Sequence, residues 1–246
     1  MLKESLRNWL ARFGFEIRRV DRIQAQFVAM AKDKELYRPL FSPWHEKGQF
    51  RRYYDVAAER SIVTLESCYV LFTMLRQSEA VPGHVWECGV YRGGTAAMLA
   101  AYLKDHCPDK KIILFDTFEG MPPTDAEKDF HKCGDFSDTD VDSVRSFVGA
   151  GDRCIIKKGF IPDTFEGLEQ ATISFAHIDL DIYRSILDSL EFIWPRLSLG
   201  GCIVFDDYGF PSCPGARQAV DDFFLQQKAV PLCLHTGQAL AFKSAL

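Results

Sequence analysis

The sequence predicts an α/β fold: a doubly wound, mostly parallel sheet with an antiparallel C-terminal hairpin and an N-terminal helical cap. Three observations predict it. Apolar runs of strand length at about 85–89, 111–116, 154–157, 173–179 and 201–206 alternate with segments of helical period, the pattern of a layered parallel sheet. The first run passes directly into a glycine-rich turn, Gly89-Val-Tyr-Arg-Gly93-Gly94. Two later runs end in paired acids, Asp179 with Asp181 and Asp206 with Asp207. Ligands of open α/β sheets bind outside the carboxyl ends of the strands, so turn and acids belong to one edge.

The chain of 246 residues, 47% of them hydrophobic, has the composition of a domain with an ordinary buried core. A net charge of −5 makes no general case for nucleic acid as a partner. No apolar run approaches the roughly 18–20 residues of a membrane span, and the N-terminus lacks the core of a secretory signal. The eight cysteines are scattered with no C-x-x-C pair, which fits a reduced, cytoplasmic protein better than a disulfide or zinc framework.

Residues 1–22 set Leu2, Leu6, Trp9, Leu10 and Phe13 at helical spacing against Lys3, Arg7, Arg12, Arg18, Arg19 and Arg22. Such a basic amphipathic helix either packs on the domain or a second copy in a homo-oligomer, or rests peripherally on an anionic membrane. The aromatic and basic segment 34–55 reads as a loop over the domain. One helix is expected over 55–78, with Val56, Ile62, Leu65, Tyr69, Phe72 and Leu75 on one side. Pro82-Gly83 then breaks the chain. Helices are expected at about 95–105, 140–148, 183–194 and 215–227. The acidic stretch 117–152, with Pro122, Pro123 and Gly134, is a long connection of the kind that often serves as a lid. Thr236-Gly237 joins the two arms of the terminal hairpin. The expected division is 1–80 as cap region and 81–246 as ligand-binding domain.

Three motifs carry chemistry. Glu87-Cys-Gly89-Val-Tyr91-Arg-Gly93-Gly94-Thr95 is not the dinucleotide G-x-G-x-x-G, because its glycines have the wrong spacing. An E-x-G-x-x-x-G-G turn is similar to those of S-adenosylmethionine enzymes, whose cationic ligand suits a carboxylate such as Glu87. Asp116, closing the second strand, is placed to accept hydrogen bonds from ribose hydroxyls. Asp179 and Asp181, two apart, face the same way in an extended chain. With Asp206 and Asp207 they form a crowd of like charge that calls for a cation or raised pKa values. Oxygen-only donors point to Mg²⁺ or Ca²⁺ before zinc. Helix capping accounts for one acid per strand and leaves the others without a reason. His177 is either a base or a satisfied histidine deeper in the sheet. Arg60 and Thr64 either reach a ligand carboxylate or are surface groups, and Asp135, Phe136 and Ser137 either meet adenine or substrate or are solvated.

These stretches together, ECGVYRGG (87–94), FDTFEGMP (115–122), KGFIPDT (158–164), IDLDIYRS (178–185) and LSLGGCIVFDDYG (197–209), resemble the macrocin O-methyltransferase family. The resemblance implies a Rossmann-like class I methyltransferase that uses S-adenosylmethionine and Mg²⁺ to methylate a sugar hydroxyl of a glycosylated natural product or surface-polysaccharide precursor. It implies Asp179, Asp206 and Asp207 as metal ligands and Asp181 as general base, with Asp179 beside the cofactor as well. Glu87, Gly89, Tyr91, Gly93, Gly94 and Thr95 would lie by the methionine part of the cofactor, and Asp116 by its ribose. Thr117, Phe118 and Gly159, within the matching stretches, are further cofactor candidates. Members usually carry D-G-D where this chain has Asp179-Leu180-Asp181, so an altered strand end is expected. A catechol-type methyltransferase shares metal and cofactor and differs in its acceptor pocket. A glycosyltransferase using Asp179-x-Asp181 as its D-x-D leaves the glycine turn unexplained, and a non-catalytic scaffold leaves the four acids unexplained.

Overall fold

The computed structural model describes residues 42–227 and 229–244. The basic segment 1–22 and residues 34–41 of the aromatic segment lie outside the described residues. Seven strands run in the order β3-β2-β1-β4-β5-β7-β6. They are β1 His84–Cys88, β2 Ile112–Asp116, β3 Cys154–Lys158, β4 Ile173–Ile178, β5 Leu197–Phe205, β6 Leu232–Cys233 and β7 Ala239–Phe242. The first five are parallel, while β7 runs antiparallel to β5 and β6 to β7. The expected doubly wound sheet with its antiparallel hairpin is the observed one.

Burial on both faces explains why the central strands read as unbroken apolar runs. On one face Val85, Leu114, Phe175 and Val204 pack with helices α1 (Gln49–Ala57), α2 (Leu65–Gln77), α3 (Gly94–His106) and α4 (Val141–Val148). On the other, Trp86, Phe115, Ala176 and Phe205 pack with α5 (Tyr183–Arg196) and α6 (Pro214–Phe224). The order of the strands reverses between β1 and β4, so a crevice opens at the carboxyl ends of these two. That is where the glycine turn and the first acid pair meet.

The region before β1 differs from expectation. Segment 49–57 is helical rather than loop, and the single helix expected over 55–78 is two. Val56 and Ile62, counted into one apolar stripe, are exposed; the true inward faces are Phe50, Tyr53 and Ala57 on α1, and Cys68, Leu71, Phe72 and Leu75 on α2. Thr64 starts α2 by accepting a hydrogen bond from the Ser67 amide on its hydroxyl, 3.2 Å. The break carries residues 58–64 across the start of α3. A Cβ on Gly94 would fall 2.4 Å from the Ser61 amide nitrogen, so this crossing requires glycine. From Trp44 onward the chain is one compact unit, in which α1 and α2 share a core with α3 and the sheet.

Candidate active site

The glycine turn and the acids are in direct contact. Asp179 N donates to the carbonyl of Cys88 at 2.8 Å, and a Cβ on Gly89 (φ +85°) would lie 1.7 Å from the carbonyl oxygen of Asp179. Only glycine permits that approach. Above it opens a cavity of about 330 Å³, within the range of about 300–1,000 Å³ common for small-molecule sites. Its walls come from the 58–64 crossing, the glycine turn, the ends of β2 and β3, the long 117–140 loop and all four acids.

Asp116 does more than close β2. Its Oδ2 accepts from the amides of Val90 (2.7 Å) and Tyr91 (2.8 Å), and its Oδ1 accepts from Phe118 N (2.7 Å). One carboxylate therefore fixes two turns, with Tyr91 and Phe118 both held at positive φ. Asp116→Asn would set an NH₂ group against one of these donors. It is expected to cost about 1.5–3 kcal/mol per lost charged hydrogen bond, read as a lower midpoint in urea denaturation.

The four acids divide by surroundings. Single carboxylate oxygens of Asp179, Asp181 and Asp207 lie within 4.8 Å of one another, close enough to share a cation. Burial, and then the charge of Asp206, pushes the Asp179 carboxyl well above the usual carboxylate range. Burial, then the charges of Asp179 and Asp181, does the same to Asp207. Asp181 is raised by burial, with Cys213 and His131 opposing. Hard oxygen donors crowded in this way fit a divalent cation. Asp206 instead turns Oδ1 toward Gln238, which donates from Nε2 at 2.7 Å, and toward His177 Nε2 at 3.4 Å. The trio close enough to share an ion thus contains Asp181 in the position expected of Asp206.

Glu87 and His177 lie beneath the cavity, not in its wall. Both are fully buried, and His177 Nδ1 sits 2.9 Å from Glu87 Oε1. Burial works against a charged imidazole, but hydrogen bonds to Asp206 and Glu87 outweigh it and raise His177 to about 10. His177 is thus held by Glu87 on one ring nitrogen and faces Asp206 on the other, the satisfied histidine deeper in the sheet rather than a free base. Glu87 keeps its second oxygen buried without a partner.

Of the other expected cofactor positions, Gly89, Tyr91, Gly94, Thr95, Thr117, Phe136, Gly159, Arg60 and Thr64 line the cavity. Arg60 stands in the crossing rather than on a helix, bonded to the Ser143 hydroxyl at 2.9 Å and stacked over Phe147. Gly93, Phe118, Asp135 and Ser137 do not line it. Gly93 faces Val144, Phe118 is in the core, and Asp135 bonds the Lys132 amide at 2.9 Å. Ser137 lines a separate surface depression with Arg92 and Asp138. Leu180 takes no left-handed backbone; the residue at positive φ is Asp181, at 58°. Replacing the usual glycine thus costs no strain at that point.

Sequence reasoning missed His131, Cys213 and Gln238. Their signal was spatial: the long loop is tied down by Asp129, which accepts from the Tyr183 amide at 2.9 Å, and this brings His131 over Asp181.

A seven-stranded sheet in this order, with its last strands reversed and an acid-lined cavity at the switch point, defines the class I methyltransferase fold. The solved structure titled O-methyltransferase NovP shares it, at TM-score 0.65 and 22% identity over 75% of this chain and 84% of that one. The Macrocin-O-methyltransferase (TylF) family model matches residues 60–235, and the chain belongs to that family. It is 32% identical over 167 residues to a tetracenomycin-C-derivative rhamnosyl 4'-O-methyltransferase of Streptomyces olivaceus, covering 63% of this chain and 62% of that protein. It is also 32% identical to the mycinamicin III 3''-O-methyltransferase of Micromonospora griseorubida, covering 59% and 61%. The chain spans about three fifths of the length of the curated relatives it matches.

Proposed function

We propose that the chain is an S-adenosylmethionine- and Mg²⁺-dependent O-methyltransferase acting on a sugar hydroxyl of a glycosylated natural product or a surface-polysaccharide precursor. The observation that carries this reading is the contact of the glycine turn with the carboxylate cluster through Gly89 and Asp179. It sets a cofactor wall and a cation wall side by side in one cavity. When bound, the cofactor supplies an electrophilic methyl group, and the cation lowers the pKa of the acceptor hydroxyl.

Asp179 and Asp207 would hold the cation, and Asp206 stands beside them, fixed by Gln238 and His177. Asp181 takes the proton from the acceptor oxygen. A carboxyl raised by burial is a stronger base than an exposed one. The amides around Asp116 and the 58–64 crossing shape the cofactor side, and the 117–140 loop covers the site and excludes water. Much of the rate would come from alignment of two reactants in one cavity. A sugar acceptor is favoured over a catechol by the family and by the sugar methyltransferases among its relatives.

Calorimetry with S-adenosylhomocysteine and with a uridine diphosphate sugar, each with Mg²⁺, tests the cofactor assignment. One S-adenosylhomocysteine per chain and no heat from the sugar nucleotide is expected. The reverse would move the chain to the glycosyltransferases.

A further inference from the structure

A second set of ligands shares one acid with the cluster and differs from it in chemistry. Cys213 Sγ lies 3.2 Å from Asp181 Oδ1 and 3.7 Å from His131 Nε2, and His131 Nε2 lies 3.7 Å from Asp181 Oδ1. All three donor atoms fall within 4.8 Å of one another. Zinc bonds of about 2.3 Å to sulfur and 2.0–2.2 Å to nitrogen and oxygen give a tetrahedron whose edges are about 3.3–3.6 Å. The three separations lie within a few tenths of an ångström of three of its edges, so small side-chain shifts would close the ligands on one ion. The histidine is also prepared: its far nitrogen, Nδ1, meets Asp135 Oδ2 at 3.3 Å, and Asp135 is itself fixed by the Lys132 amide. A carboxylate behind a histidine, turning Nε2 outward as a donor, is the usual support of a zinc ligand.

We propose that Asp181, His131 and Cys213 form a site for Zn²⁺ or a similar borderline ion, distinct in preference from the oxygen-only cluster beside it. Thiolate and imidazole donors select zinc over magnesium. On binding, the Cys213 S–H bond breaks, its proton goes to solvent, and the sulfur bonds the metal. Among the described residues no fourth histidine, cysteine or carboxylate joins the three, so the fourth corner is left to water. The ligands come from three segments, so the ion fastens the 117–140 loop to the end of β4 and the start of α6. It also occupies the oxygen of Asp181, making zinc an inhibitor of the methyl transfer proposed above; that consequence rests on the role of Asp181 as base, whereas the binding does not.

The test uses the metal-free full chain with Co²⁺ as a spectroscopic probe and Zn²⁺ as competitor. One Co²⁺ per chain should give a thiolate-to-metal charge-transfer band that Zn²⁺ displaces. Cys213→Ser should abolish the band, and Asp135→Asn, which removes no ligand, should weaken binding about 10–100-fold. His131→Asn, in a partly exposed loop, decides the matter if Cys213→Ser does not fold, and should also abolish tight binding. A band that persists in Cys213→Ser, or zinc affinity unchanged in both loop variants, overturns the site. Zinc bound with these dependences but without loss of methyl transfer overturns the inhibitory consequence and the assignment of Asp181 as base.

Discussion

Asp181→Asn is expected to lower methyl transfer by about 10²–10⁴-fold, the usual contribution of a positioned base. Affinity for S-adenosylhomocysteine should change little, because Asp181 stands on the cation side of the cavity. Asparagine is the informative replacement for a backbone reason. Residue 181 has φ 58°, a region that asparagine tolerates better than alanine. The Asp181 amide also donates to Asp207 Oδ2 at 3.0 Å, a bond that the substitution retains. Loss of activity with an unchanged melting curve would therefore report chemistry rather than folding. A drop in kcat with an unchanged KM, measured at saturating cofactor, is the expected form. An enzyme that stays within a few fold of wild type would remove Asp181 from the mechanism.

Asp207→Asn is expected to act in opposite directions on stability and on metal response. Without a cation, removing one of four crowded charges should stabilise the protein by about 0.5–2 kcal/mol, the common yield of relieving a strained functional site. Stabilisation by Mg²⁺, about 2.7 kcal/mol for a ligand at a hundred times its Kd, should largely disappear. The pH dependence follows from signs. Asp179 and Asp207 carry raised pKa values, so above the ordinary carboxylate pKa the folded state holds more protons than the unfolded one. Stability then falls as pH rises through that window. His177 adds the same sign: its contribution is full below about 6.5, the unfolded imidazole pKa, and is lost as pH approaches about 10. The metal-free wild type should thus be more stable at mildly acidic than at alkaline pH, with a shallower slope in Asp207→Asn. Chemical denaturation across pH, with and without Mg²⁺, reads both effects. A metal-free protein that gains stability steadily toward alkaline pH would contradict them.

What the sequence disclosed and what it hid follow from how local each feature is. The parallel strands were legible because burial on two faces makes them apolar throughout, and the two acid pairs were legible because they end such runs. The switch point followed from strand order, and with it the meeting of Gly89 and Asp179. The break at 58–64 was not legible, since Val56 and Ile62 fall on a helical stripe whether or not a helix runs through them. Glu87 looked like a cofactor contact because it precedes the glycine turn. Its partner, His177, is on a neighbouring strand and pairs with it only through the register of β1 against β4. The separate pairing of β4 with β5 brings Asp206, one residue past β5, within reach of His177, and Gln238 on the terminal hairpin completes the hold, a contact between residues 32 positions apart. The grouping of Asp181 with Asp179 and Asp207, and of Asp206 with His177 and Gln238, is thus set by tertiary contacts. Leu180 shows the converse: a departure from the usual D-G-D that drew suspicion in sequence has no backbone consequence, because the left-handed residue is its neighbour.

The most direct test of the central claim is transfer of a labelled methyl group from S-adenosylmethionine to a deoxysugar glycoside, run with Mg²⁺, with EDTA, and against a catechol. A methyl ether on a sugar hydroxyl, collapse of the rate in EDTA, recovery on adding Mg²⁺, and little product from the catechol are expected. Full activity in EDTA, or methylation of the catechol alone, would contradict it.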